Sequence, residues 1–161
     1  MVESDIFTAE YRDSGAQSLI LELHRVMPAR RNPQAGGEDN QITEKIIKCA
    51  IKVHSTSGPG LLESAYKECL YYELLKIGLK VEKEKPIPLI YEEVKLECGY
   101  RVDIYVENRI VVEVKSVEAL HDIHLAQTLT YLKLLGKRIG QLMNFNVLRL
   151  KDGIKRVVNG Y

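Results

Sequence analysis

Between Arg101 and Lys115 the chain alternates polar and apolar residues in two short runs, Arg101-Val-Asp-Ile-Tyr-Val106 and Ile110-Val-Val-Glu-Val-Lys115, separated by Glu107-Asn108-Arg109. A period of two marks extended strands, whose successive side chains point to opposite faces. A three-residue connection closes two such strands into an antiparallel hairpin. If Val106 pairs with Ile110, each step back along the first strand matches one step forward along the second, and Asp103 falls opposite Glu113. Val102, Ile104 and Val106 then share one side of the first strand, and Ile110, Val112 and Val114 one side of the second. The other side carries Arg101, Asp103, Tyr105, Glu113 and Lys115.

Two physical readings fit this face. A hairpin with one wetted side also alternates valine with Asp, Glu and Lys. Alternatively, the paired carboxylates hold Mg²⁺ or Mn²⁺ through hard oxygen ligands, and the lysine stabilises the charge that builds as a phosphate is attacked. Gln127 and Tyr131 are four residues apart, so on a helix following this hairpin they share a face. Gln127 would bond the lysine or the substrate there, and Tyr131 would stack or bond near a phosphate, unless both serve packing alone. Glu63 opens another helix, where a carboxylate is favourable beside the helix dipole whatever its role. It is a candidate further metal ligand, and Tyr66, three residues on, is a candidate substrate contact on the same face. Gly60 permits the sharp helix entry that Pro59 prepares.

The rest of the chain surrounds this hairpin with helices and further strands. Ile42, Ile46, Ile47, Ala50 and Val53 recur at helical spacing, with Asn40 as the expected cap and Gly58-Pro59-Gly60 as the stop. A second helix is expected from Leu61 to about Ile77 and a third from about His121 to Leu135, closed by Gly78 and Gly136. Strands are expected near 79–85, 87–91, 94–98, 100–106, 110–116, 139–145, 147–150 and 154–158, with Asp152-Gly153 as a turn. Helices, strands, a helix and strands again give an α/β fold with a mixed sheet. Residues 1–40 read differently. An apolar patch, Leu19 to Val26, suited to one short helix, precedes Met27-Pro-Ala-Arg-Arg-Asn-Pro-Gln-Ala-Gly-Gly37, rich in chain breakers. The expected division is an extension and linker over 1–40 and one domain over 41–161.

A chain of 161 residues that is 45% hydrophobic and 28% charged suits one soluble globular domain. Its net charge of +1 identifies no partner, although Lys133, Lys137, Arg138, Arg149, Lys151, Lys155 and Arg156 crowd the C-terminal stretch against Asp152 alone. Such crowding is either a phosphate-attracting patch or a solvated surface. The three cysteines, Cys49, Cys69 and Cys98, lack metal-ligand spacing, and no apolar run approaches the ~20 residues of a membrane span. With an acidic rather than basic N-terminus, this points to the cytoplasm and away from membranes. His121 and His124, three apart, lack a further well-spaced soft ligand and read as cap or surface residues rather than a zinc site.

Gly60-Leu-Leu-Glu63-Ser-Ala-Tyr66 resembles the signature of the GxxExxY proteins, a family assigned to the PD-(D/E)XK nuclease superfamily. The resemblance extends from about Ile42 to Tyr161. It includes Gly99-Tyr-Arg-Val-Asp103, Ile110-Val-Val-Glu-Val-Lys115, Ala126-Gln-Thr-Leu-Thr-Tyr131 and Asn144-Phe145-Asn146. It implies a restriction-endonuclease-like core, a mixed β-sheet flanked by helices with the metal site at one end. Asp103 then matches the aspartate of the PD motif, with Val102 in place of the proline. Glu113 and Lys115 match the ExK pair, Gln127 and Tyr131 the QxxxY element, and Glu63 the acidic residue of the first helix. The function expected is metal-dependent hydrolysis of nucleic-acid phosphodiesters, DNA before RNA. Mg²⁺ or Mn²⁺ would be held by Asp103, Glu113, Glu63 and the Val114 carbonyl, with Lys115 and Gln127 completing the catalytic set. Two alternatives remain open: a nucleic-acid-binding or assembly module with little turnover, working with a protein partner or as a homo-oligomer, and hydrolysis of another phosphorylated substrate.

Overall fold

The computed structural model of the chain describes residues 36–97 and 99–160. The apolar patch at 19–26, most of the breaker-rich segment and Cys98 lie outside these residues. Helix α1 spans Gly36–Ser57 and α2 spans Glu63–Lys76. Strands β1 (Val81–Pro86), β2 (Leu89–Tyr91), β3 (Val94–Leu96), β4 (Arg101–Val106) and β5 (Ile110–Lys115) follow. Helix α3 (Asp122–Leu135), β6 (Ile139–Asn144), the one-turn α4 (Leu150–Gly153) and β7 (Ile154–Val158) complete the order. The main sheet runs β1-β4-β5-β6-β7, with β5 and β6 parallel and the other pairs antiparallel. β2 and β3 form a separate hairpin outside that sheet.

Because β5 is central and covered on both faces, its residues Ile110 to Val114 are all buried. Parallel pairing to β6 through a helical crossover is what places cover on a second face. Under α1 and α2 the core gathers Ile46, Ala50, Val53, Leu70 and Leu74 against Ile104, Val106, Ile110, Val112, Val114 and Met143. Under α3 it gathers Tyr131 and Leu132 against Tyr105, Val111, Leu142 and Val157. Each fully buried valine contributes about 1.5–3 kcal/mol. Glu113 sits in the same buried run, where a carboxylate costs energy instead.

The expected β4–β5 register is realised, with Val106 opposite Ile110 and Ile104 opposite Val112 across a turn whose Glu107 and Asn108 have φ of 52° and 54°. The facing of Val102 differs: it packs in the α3-side core with Tyr105, not with Ile104 and Val106. On the neighbouring strand, between the pairs Lys83–Ile104 and Lys85–Val102, Glu84 has a positive φ of 52°.

Two other expectations are corrected. Residues 147–150 form no strand. His54 Nε2–H donates to Val147 O at 2.8 Å, and the chain bends into α4, so β7 pairs with β6. Gly153 is required at that bend because a Cβ there would stand 2.2 Å from the Asn144 carbonyl oxygen. The first helix also starts ahead of Asn40, whose side chain accepts a bond from Arg156 (3.0 Å) while Asp39 pairs with Arg109 (2.6 Å). Helix α1 runs from Gly36 across the boundary expected between residues 40 and 41. A chain starting at residue 35 should melt cooperatively, and one starting at Gln41 should melt at a lower temperature for want of these two links. Equal melting temperatures would show that residues 36–40 add nothing. No helix among the described residues is long and apolar enough to cross a membrane.

Candidate active site

The candidate side chains collect where β4 and β5 part. Their backbone pairing is followed as far as Ile104 opposite Val112, and beyond it the Asp103 side chain takes the place of a strand partner: Val114 N–H donates to Asp103 Oδ2 at 3.0 Å. The N–H and C=O of one strand residue point the same way, so the Val114 carbonyl is directed toward the same opening. The Asp103 and Glu113 carboxyls share a hydrogen bond across it. Glu113 is only 2% exposed, and its Oε1 has no hydrogen-bond partner.

Burial and the adjoining Asp103 charge push the Glu113 carboxyl up to about 10, against the opposing pull of Lys115. Asp103 moves the other way: burial would raise it, but its hydrogen bonds to Glu113 and Val114 and the charges of Lys67 and Lys115 hold it below the usual carboxylate range. These opposed shifts make Glu113 the carboxyl of the pair that favours a proton. A buried acid pair with one orphaned oxygen matches what a hard cation seeks, since it would replace that proton and satisfy the free oxygen. The donor set thus fits Mg²⁺ or Mn²⁺. Among the described residues, however, no three or more His, Cys, Asp and Glu side chains already form a metal-holding group.

Helix α2 brings Glu63 to the rim. One Glu63 oxygen lies 3.7 Å from Lys115 Nζ and the other accepts from Ser116 N–H at 3.3 Å. Glu63 is therefore near Lys115, with its carboxylate engaged there. Helix α3 supplies Gln127 and Tyr131, and Gln127 Nε2 donates to the Tyr131 hydroxyl at 2.9 Å rather than reaching Lys115. Burial raises the Tyr131 hydroxyl, so it remains a neutral phenol. Tyr100 stands edge-on to Tyr131 with ring centres 6.3 Å apart.

Tyr66 holds an architectural position. It is fully buried, stacked on Phe145 at 4.7 Å, and presents no surface to substrate. Its hydroxyl donates to Gly58 O (2.6 Å) and accepts from Leu61 N–H (3.0 Å), which pins the loop ahead of Glu63. Gly60 takes φ of 102° in that loop, a conformation that disfavours any side chain. Tyr66→Phe should cost about 1–3 kcal/mol, because it removes two part-buried hydrogen bonds. A melting temperature equal to wild type would remove Tyr66 from this role.

Two further residues were given no role by sequence reasoning, although Asn144 belongs to one of the motifs that carry the resemblance. Lys67 Nζ lies 3.3 Å from Asp103 Oδ1 and 2.9 Å from Glu84 Oε1. Its position four residues after Glu63 was the available signal, since both leave one face of α2. Asn144, 1% exposed, is the other. Its Oδ1 accepts from Val117 N–H (3.0 Å) and its Nδ2 donates to Val117 O (2.9 Å), tying the end of β6 to the segment after Lys115.

His124 Nδ1 accepts from His121 N–H at 3.0 Å, so the histidine pair works at the start of α3. Three of the C-terminal basic residues have other neighbours. Arg149 pairs with Asp152 at 2.9 Å, and Lys137 and Arg138 line a cavity of about 430 Å³ with Arg109, Glu38 and Asp39 at the opposite end of β5.

Among known families, the model of the PD-(D/E)XK nuclease superfamily matches residues 40–157. No curated protein and no solved structure matches the chain.

Proposed function

The chain belongs to the PD-(D/E)XK nuclease superfamily, and on that premise we propose that it hydrolyses phosphodiester bonds of a nucleic acid, DNA before RNA, at the Asp103–Glu113–Lys115 cluster. Within the superfamily, the Gly60 to Tyr66 motif supports a place among the GxxExxY proteins. The observation that carries the reading is the buried Asp103–Glu113 pair with its partnerless Glu113 oxygen.

Asp103, Glu113 and the Val114 carbonyl, with Glu63 at the rim, would hold Mg²⁺ or Mn²⁺, which acidifies water and offsets phosphate charge when bound. Asp103 is already oriented for this by Val114 N–H. Lys115 keeps only 14% of its side chain exposed, so its ammonium acts with little screening on an attacking water or on phosphate oxygens. Glu63 restrains that ammonium from the outer side, and Asn144 fixes the backbone just beyond it. Gln127 and Tyr131, bonded to each other, form a polar wall that orients substrate rather than the lysine. The free thiols of Cys49 and Cys69 accord with a reducing, cytoplasmic setting.

A second reading, a binding or assembly module with little turnover, draws on the partners the acidic groups already have: Lys67 on Asp103, and Lys115 with Ser116 on Glu63. One experiment separates the two. The pure protein is incubated with Mg²⁺ or Mn²⁺ and single-stranded, duplex and branched DNA and RNA. Cation-dependent cleavage of DNA supports the proposal. Retention of these polymers without cleavage at any cation concentration supports the module.

A further inference from the structure

Lys67 joins two acidic groups from neighbouring strands. The β1–β4 register runs from Lys83 opposite Ile104 to Lys85 opposite Val102, which sets Glu84 across from Asp103. Glu84 takes its positive φ of 52° at this position, a conformation that a glutamate in mid-strand seldom adopts. The Lys67 ammonium lies between the two carboxylates, 2.9 Å from Glu84 Oε1 and 3.3 Å from Asp103 Oδ1. The Lys67 and Asp103 side chains are 14% and 16% exposed, so solvent screens this contact weakly, whereas Glu84 at 47% is open to water.

We propose that Lys67 is a built-in counter-ion that holds Asp103 in the cation-free protein and cedes it to the divalent cation, withdrawing onto Glu84. The inference rests on the cation-binding reading of the Asp103–Glu113 pair. A dication on Asp103 would stand close to this ammonium, and like charges at such separations in a poorly screened site repel strongly. Moving outward relieves the repulsion, and Glu84 provides a negative charge to move to. Lys67 thereby prevents Asp103 from standing as a bare charge beside Glu113 after the cation leaves, and it lowers the affinity with which the cation returns. Its role is positioning and competition.

The test is calorimetric titration of the full chain with Mn²⁺ alone, for wild type, Lys67→Met, Lys67→Arg and Glu84→Gln, with melting curves to verify folding. Lys67→Met should bind Mn²⁺ at least about five-fold tighter. Lys67→Arg should stay near wild type. Glu84→Gln should bind more weakly, since without its retreat the ammonium remains on Asp103. A structural role alone does not move the two variants in opposite directions. If wild type binds Mn²⁺ but Lys67→Met binds no tighter, the competition is overturned and the cation site stands. If Lys67→Met fails to fold, Glu84→Gln decides, and unchanged or tighter binding overturns the proposal. Binding to Lys67→Met but not to wild type supports competition. Absence of binding in every variant overturns both the competition and the cation site.

Discussion

Asp103→Ala should abolish both Mn²⁺ binding and cleavage, whereas Lys115→Ala should lower cleavage roughly a hundred-fold or more while leaving Mn²⁺ binding near wild type. The difference in kind follows from what each group supplies. On the proposed reading Asp103 would contribute ligand oxygen, and it orders the opening by accepting Val114 N–H. Lys115 contributes a charge that matters most when negative charge develops on the phosphate, so its loss falls on the transition state rather than on ground-state binding. Loss of Lys115 also leaves Glu63 its bond from Ser116 N–H, which limits damage to the rim. Mn²⁺ titration of each variant, followed by single-turnover cleavage at saturating cation, measures both quantities. Parallel loss of affinity and rate in Lys115→Ala would show that the lysine builds the cation site instead of acting in the chemical step.

Glu113→Gln should stabilise the cation-free protein at alkaline pH and have little effect in acid. The Glu113 carboxyl is raised to about 10 by burial and by Asp103. In the unfolded chain it ionises near the ordinary value, so from there upward the unfolded state gains a charge that the folded state resists. The stability associated with the protonated group is complete below the unfolded pKa and is lost progressively as pH rises toward the folded value. Glutamine keeps the shape without this ionisation, and at pH 8 the gain over wild type should be of order a few kcal/mol, or several degrees in melting temperature. Asp103 acts in the opposite window. Its lowered carboxyl supports folding above the usual carboxylate pKa, and that support is lost as pH falls through the folded value. Melting curves from pH 5 to pH 9 in chelator would show the two variants converging in acid and separating in base. A constant separation across that range would mean that Glu113 is already ionised in the folded protein. Excess Mn²⁺ should reverse the alkaline ranking, because it stabilises wild type more than a variant lacking one ligand charge.

The centre of this arrangement was legible because it depends on local rules. Period-two alternation and the count of residues in the Glu107–Arg109 turn suffice to set Val106 against Ile110, and the line of that register leads to Asp103 and Glu113. Helical spacing likewise exposed α3 and the shared face on which Gln127 meets Tyr131. What escaped depends on distant contacts. Residues 147–150 carry strand-like composition, but Gly153 against Asn144 O and His54 against Val147 O bend them away. Asn40 reads locally as a cap, yet Asp39 and Asn40 reach Arg109 and Arg156, so the helix begins earlier. Tyr66 lies on the expected face of α2, but burial against Phe145 decides its use, and no spacing rule reports that neighbour. Lys67 was hidden for the same reason. Its partners come from β1 and β4, and one of them depends on an irregular backbone at Glu84 that composition does not announce.

The central claim, that Asp103, Glu113 and Lys115 form one hydrolytic site dependent on a divalent cation, meets its most direct test in single-turnover cleavage of end-labelled DNA. Wild type and Lys115→Ala are purified in parallel and assayed at saturating Mn²⁺ and in chelator. Wild type should cleave only with the cation, and the variant should cleave roughly a hundred-fold or more slower. Equal cleavage by the two proteins, or cleavage that persists in chelator, would contradict it.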